Sequence, residues 1–321
     1  MNAQIYCTLA DLIDDLNLPG DEPGLFSRIQ TASGFINRRF GDFIPRLATR
    51  KYSGNNKVNL EVDYLLSVSQ ILNDSVAVSD YDLYPLNRHW ENGPYTRIYN
   101  ELTWEEEVEI TGAWGKFSET EALGESVSQT DSANNLSVTN ASILSPGMVL
   151  LAGDEQELVT GYDSPTLATS QLAAAVDIAD ENISVDDGAE FNRGEVIQLS
   201  TEDCYIKRIV GNLLWVARGW NNTIKQSHAE NDPISVYRTF EVTRAVNGTT
   251  AAAHTSVALY RYLPPYDVNW LCRQIAGLMR MKAASGFAGK TGNADTGETF
   301  YFNEFPSQVK EIQKNYRVVQ L

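Results

Sequence analysis

Val216-Ala217-Arg218-Gly219-Trp220-Asn221-Asn222-Thr223-Ile224-Lys225-Gln226-Ser227-His228 returns 26 residues later as Val242-Thr243-Arg244-Ala245-Val246-Asn247-Gly248-Thr249-Thr250-Ala251-Ala252-Ala253-His254. Val, Arg, Asn, Thr and His keep their places in both copies. A strand-like run follows each, Ile234-Ser235-Val236-Tyr237 and Ala258-Leu259-Tyr260. A second correspondence lies upstream, without gaps, at an offset of 47. Asn135-Leu136-Ser137-Val138, Gly147-Met148-Val149-Leu150 and Glu155 match Asn182-Ile183-Ser184-Val185, Gly194-Glu195-Val196-Ile197 and Glu202. Alternating apolar residues around a glycine turn describe a small β-unit. A tandem array has one period, whereas nesting produces two. The favoured reading is a unit A at 135–162 with 240–262, into which a unit B at 180–238 is inserted. The alternative is one whole unit followed by an orphan third fragment.

Outward from the repeats, the pattern changes twice. Residues 8–18 predict a short helix with Thr8 as N-cap, Asp11 in the capping-box place, and Leu9, Leu12, Ile13 and Leu16 on one stripe. Residues 23–40 predict a longer one, closed by Gly41. Strand-like runs at 57–60, 76–78, 97–99 and 107–111 occupy 47–115, and the polar stretch 116–134 reads as a linker. After Pro264-Pro265 a helix is expected over about 267–285, then a Gly-rich loop from Gly286 to Gly297 and a last helix capped by Ser307. The expected fold class is α+β and multi-domain. A helical bundle core would be made from the N- and C-terminal helices, 1–46 and 263–321. An antiparallel β region at 47–115 and the nested β-units would be inserted into it.

The chain has 321 residues and a formal net charge of −17, opposite in sign to a duplex-binding surface. Only residues 263–321 carry more basic than acidic side chains. Cys7, Cys204 and Cys272 lie far apart without a CxxC, which argues against a disulfide framework and fits a reducing cytosol. No basic leader or membrane-length apolar run is visible.

Several motifs invite chemistry and fail its requirements. Gly286-Phe287-Ala288-Gly289-Lys290-Thr291 resembles a phosphate loop, but Ala284 stands where the first glycine belongs and a helix precedes it. His228 and His254 are conceivable metal ligands or bases, yet they sit at equivalent repeat positions. Arg218, Asn221 and His228, with Arg244, Asn247 and His254, therefore read as residues that fix a turn through side-chain hydrogen bonds. Glu105, Glu107 and Glu109 share one strand face and read as solvated. Trp114 reads as core or interface. No catalytic group, cofactor or metal set is expected.

Tyr6-Cys7-Thr8-Leu9-Ala10-Asp11-Leu12, the helix from Ser27 to Phe40, Asp80-Tyr81-Asp82-Leu83-Tyr84-Pro85 and Ile110-Thr111-Gly112-Ala113-Trp114-Gly115 resemble the head–tail connector (adaptor) proteins of tailed bacteriophages. Residues 242–254 resemble a β-module of such virion proteins, with Ala245 where that module usually has Gly. The resemblance covers most of 1–115 and 240–285. It implies a structural virion protein, assembled in the bacterial host cytoplasm, in a neck ring of about twelve copies closed by heterologous contacts. Implied partners are the portal protein, a tail-side neck or tail-terminator protein, and further copies of itself. DNA would pass through the ring without specific binding, a role that suits an acidic chain. Tyr316, Arg317, Val318, Val319, Gln320 and Leu321 are the candidate portal interface, by addition of a strand to a portal edge. The alternative function is a tail- or fibre-associated protein that binds receptor glycans.

Overall fold

A computed structural model describes residues 4–18, 24–87, 93–284, 290–293 and 298–301, with side chains up to residue 283. Helix α1 (Leu9–Asp15) starts at Thr8, whose side chain accepts from the Asp11 amide while Asp11 accepts from the Thr8 amide. This reciprocal box satisfies two amides that a helix start leaves unpaired. Helix α2 (Leu25–Phe40) buries Leu25, Ile29, Ala32, Ser33, Ile36 and Phe40, and Gly41 ends it.

The next strands form one antiparallel sheet. They are β1 (Arg46–Tyr52), β2 (Lys57–Asn73), β3 (Val76–Ala77), β4 (Asp82–Tyr84), β5 (Tyr95–Trp104) and β6 (Val108–Trp114). Their order is β1-β6-β2-β5-β4, with β3 paired to β2. Strand β6 alternates buried and half-buried residues, Val108, Ile110 and Trp114 facing inward, as the pleat requires.

The remaining chain builds two more sheets. Unit A comprises β7 (Thr120–Gln129), β8 (Asn135–Ser137), β9 (Val149–Ala152) and β10 (Glu155–Tyr162). Unit B follows with β11 (Thr166–Gln171), β12 (Asn182–Ser184), β13 (Val196–Leu199), β14 (Glu202–Val210), β15 (Leu213–Trp220) and β16 (Pro233–Val236). The chain then returns to unit A with β17 (Thr239–Thr243) and β18 (His254–Tyr262). The unit A sheet has the order β7-β18-β9-β10-β17-β8, and the unit B sheet β11-β16-β13-β14-β15-β12. These orders correspond strand for strand. The unit B strands interrupt unit A between β10 and β17, while β17 pairs with β8 and β10, and β18 with β7 and β9.

Helix α3 (Tyr266–Ala284) follows Pro264-Pro265, and a hairpin of β19 (Lys290–Asn293) and β20 (Glu298–Tyr301) follows it. That hairpin lies where the sequence suggested a Gly-rich loop. The expected helical bundle is corrected: the structure is 46% strand and 19% helix, with three helices among the described residues. The reason lies in what covers the helices. Their apolar faces share a core with Val149 and Leu158 of unit A and Val196, Ala217, Trp220 and Tyr237 from unit B and its C-terminal flank, so sheet surfaces complete the core. The expected last helix from Ser307 lies outside the described residues. The stretch 116–134 is not merely a linker, since 120–129 form β7 along β18. Within β7 only Val127 is buried, and a polar strand with one solvated face suits a sheet edge.

Candidate functional site

The repeat residues converge on a buried carboxylate in each unit. In unit B, Glu202 opens β14 and Arg218 lies on the neighbouring strand β15, across from Cys204. The Arg218 guanidinium donates to both Glu202 oxygens, from Nε to Oε1 and from Nη2 to Oε2, each at 2.6 Å. The amides of Gly219 and Gln226 donate to the same carboxylate at 3.1 and 3.0 Å. His228 Nε2 lies 3.0 Å from Oε2. The remaining guanidinium hydrogens reach the carbonyls of Asp177, Asp180 and Gln226. The arginine, two amides, the Cys204 thiol and His228 around one carboxylate, with three carbonyls around one guanidinium, bind the loops that follow β11 and β15.

Unit A repeats this arrangement. Arg244 donates to Glu155 from Nε at 2.7 Å and from Nη2 at 2.6 Å. The amides of Ala245 and Ala252 donate to Glu155, and His254 Nε2 lies 3.0 Å from it. Arg244 also reaches the carbonyls of Thr130, Ala133 and Ala252. Each asparagine supports its turn: Asn221 Nδ2 donates to Asp203 and Asn247 Nδ2 to Gln156. Both take the left-handed conformation, at φ 53° and 55°, which asparagine tolerates.

Electrostatics follow from these partners. Burial alone raises the Glu202 and Glu155 carboxyls, but the arginine and amide hydrogen bonds prevail and hold each at about 2. Glu157, two residues beyond Glu155, differs. Burial raises its carboxyl, and its Oε1 is buried without a hydrogen bond. Cys204 takes that place in unit B, and burial pushes its thiol up. Glu155, Glu157 and His254 hold ligand atoms within 4.8 Å of one another. The Arg244 guanidinium lies 2.6 Å from Glu155 and 3.1 Å from Glu157, so it already supplies the positive charge that a metal ion would bring. The arrangement holds a turn and leaves no ionised carboxylate open to solvent for acid–base work.

Other sequence candidates separate. Glu105, Glu107 and Glu109 do not share a strand face: Glu105 and Glu107 lie in the turn between β5 and β6, Glu109 lies on β6, and Lys51 reaches Glu107 and Glu109. Trp114 is buried, donating from Nε1 to the Ala48 carbonyl, with the Arg50 guanidinium 4.4 Å above its ring. Residues 316–321, the whole candidate portal interface, lie outside the described residues. Sequence reasoning did not pair Glu155 with Arg244, or Glu202 with Arg218. The signal was present: the 47-residue offset carries the glutamates and the 26-residue offset carries the arginines and histidines.

A cleft of about 430 Å³ lies where α1 meets both units. Its walls include Phe26, Tyr162, Tyr205, Trp220 and Arg261. Tyr205 stacks on Trp220 with ring centres 4.4 Å apart. Its charged residues have partners, Asp11 in the helix cap and Arg261 on Glu121. The chain matches no family model, no curated protein and no solved structure.

Proposed function

We propose that this chain is a structural virion protein, the neck adaptor that joins the portal of a tailed phage head to the tail. Copies of it form a ring of about twelve around a continuous DNA channel. One observation carries the reading. The N-terminal segment that bears two of the connector-like motifs, residues 5–44, and residues 268–276 of α3 lie far apart in sequence yet share one hydrophobic core. Asn269 on α3 donates to the Tyr6 carbonyl, and Tyr6 to Asn37 on α2, binding these segments further. The rest of the chain is inserted between them, as in an adaptor that carries extra modules. The buried Glu155, Glu195 and Glu202 carboxylates of the β-units pair with Arg244, Arg238 and Arg218, which supports a structural role over catalysis. The net charge of −17 suits a channel that passes DNA without gripping it.

The portal protein lies on one side and a tail-side neck or terminator protein on the other. Residues Tyr316–Leu321 reach the portal by strand addition. The decisive experiment is antibody labelling of intact particles by electron microscopy, with label expected at the head–tail junction. Label only at distal tail or fibres overturns the reading. Deleting Tyr316–Leu321 is expected to abolish portal binding while the fold persists; retained binding removes that part of the proposal.

The aromatic cleft favours a second reading, a tail- or fibre-associated protein that stacks a receptor sugar on Tyr205 and Trp220. Trp215 is exposed on the same sheet. Glycan-array binding by the wild-type chain, lost in Trp220→Ala, is the result expected of that reading and not of the adaptor.

A further inference from the structure

Cys7 and Cys272 stand 265 positions apart in sequence, yet their sulfurs lie 3.4 Å apart, with the Ser33 hydroxyl 3.3 Å from Cys272. Both are free thiols, Cys7 in the segment before α1 and Cys272 on α3. A disulfide has sulfurs about 2.05 Å apart, so closure needs roughly 1.4 Å of movement shared by two side chains. Cys7 also lines a cleft of about 200 Å³, together with Ile5, Thr8, Met148 and Asn269. That cleft provides a small oxidant with a path to the pair. Cys204, in contrast, is enclosed in the unit B core.

We infer that Cys7 and Cys272 are an oxidative modification site, at which a peroxide converts the two thiols to an intrachain disulfide that staples the N-terminal segment to α3. One sulfur, as thiolate, attacks a peroxide oxygen, the O–O bond breaks, and a sulfenic acid forms as hydroxide leaves and takes up a proton. The other sulfur then attacks the sulfenic sulfur, the S–S bond forms, and the hydroxyl leaves as water with that thiol's proton. Two thiols and one hydrogen peroxide become one disulfide and two waters, sulfur being oxidised and peroxide oxygen reduced. Cys272 is the more acidic partner, lowered by the hydrogen bond from Cys7 against the opposing effect of burial. Cys7 is raised, first by that same bond and then by burial. The modification is independent of the adaptor reading. It acts after exposure to an oxidising medium and leaves the reduced fold intact.

The test treats the native full chain with hydrogen peroxide, then denatures it, alkylates it and measures intact mass and peptides. One alkylated cysteine, Cys204, and a Cys7–Cys272 peptide pair are expected. Dithiothreitol should restore all three alkylations. The oxidised chain should also show a higher thermal midpoint, because the crosslink constrains the unfolded ensemble. Cys272→Ser should form no intrachain crosslink under the same treatment. Three alkylated cysteines after peroxide, a crosslink between chains or through Cys204, or irreversible oxidation of Cys7 each overturn the proposal. The wild-type experiment stands alone even where the serine variant folds poorly.

Discussion

Unit B seals its Glu202–Arg218 pair completely, both side chains being 0% exposed, whereas in unit A the Arg244 side chain remains 7% exposed. Unit A also carries a second buried carboxylate, Glu157, where unit B has Cys204. At the first residue after the arginine, unit B has Gly219 at φ 67° and unit A has Ala245 at φ 54°. Two turns of one design therefore carry different costs. Unit B satisfies each local demand with the residue that suits it. Unit A keeps a carboxylate in an apolar setting and an alanine in a left-handed conformation. Position in the fold accounts for one further difference. Gly248 of unit A approaches the Leu47 carbonyl so closely that a Cβ would lie 2.1 Å from it, while the equivalent Asn222 in unit B carries a side chain at φ 60°. Unit A is thus docked on the first sheet through its turn.

The largest way to break this comparison is to remove an arginine. Arg218→Leu leaves Glu202 buried without its guanidinium, held only by His228, the Cys204 thiol and two amides, and should cost about 3–5 kcal/mol in denaturant unfolding. Arg244→Leu should cost less, since the exposed side of its site admits water. Equal losses would show that burial of the pair does not distinguish the units. The pH response has a definite sign. Both glutamates have lowered folded values of about 2, so their stabilisation is present above the unfolded value near ~4.3 and is lost as pH falls toward about 2. Wild-type circular dichroism should hold to well below pH 4, whereas the stability deficit of Arg218→Leu should be largest near neutral pH and shrink on acidification, because burial then raises the Glu202 carboxyl.

The docking contact comes next. Gly248→Asn, which installs the unit B residue in unit A, should cost about 2 kcal/mol because backbone must move aside. Asn222→Gly should change stability by only a few tenths of a kcal/mol, roughly. A smaller effect is expected at Glu157. Its folded value is raised, so its stabilisation is complete below the unfolded value and diminishes as pH rises through the folded one. Glu157→Gln should therefore gain on the wild type between acid and neutral pH, by up to about 1 kcal/mol. Thermal melts at pH 4 and 7 measure that difference, and a constant gap contradicts it. The smallest effect is Ala245→Gly, which should stabilise by about 0.5–1 kcal/mol by relieving the left-handed alanine. Gly219→Ala should lose a similar amount.

The sequence by itself determined the local units. Thr8 and Asp11 dictate a helix start because their side chains bond neighbouring amides, and the spacing of Ile29, Ala32 and Ile36 dictates the buried face of α2. The two repeat offsets carry the glutamates and the arginines separately, as a nested duplication must, and only the fold joins Glu155 to Arg244 and Glu202 to Arg218. The corrections share one cause. Residues 120–129 are too polar to announce a strand, and they become one only because β18 offers a backbone edge to pair with. The helices read as a bundle because an apolar stripe does not specify its partner. Tertiary structure decided that partner by turning the outer faces of both units, through Val149, Val196 and Trp220, onto α1, α2 and α3. It alone brought Cys7 to Cys272 and Gly248 to Leu47, because contacts across such distances depend on how whole sheets settle, and no local pattern encodes them.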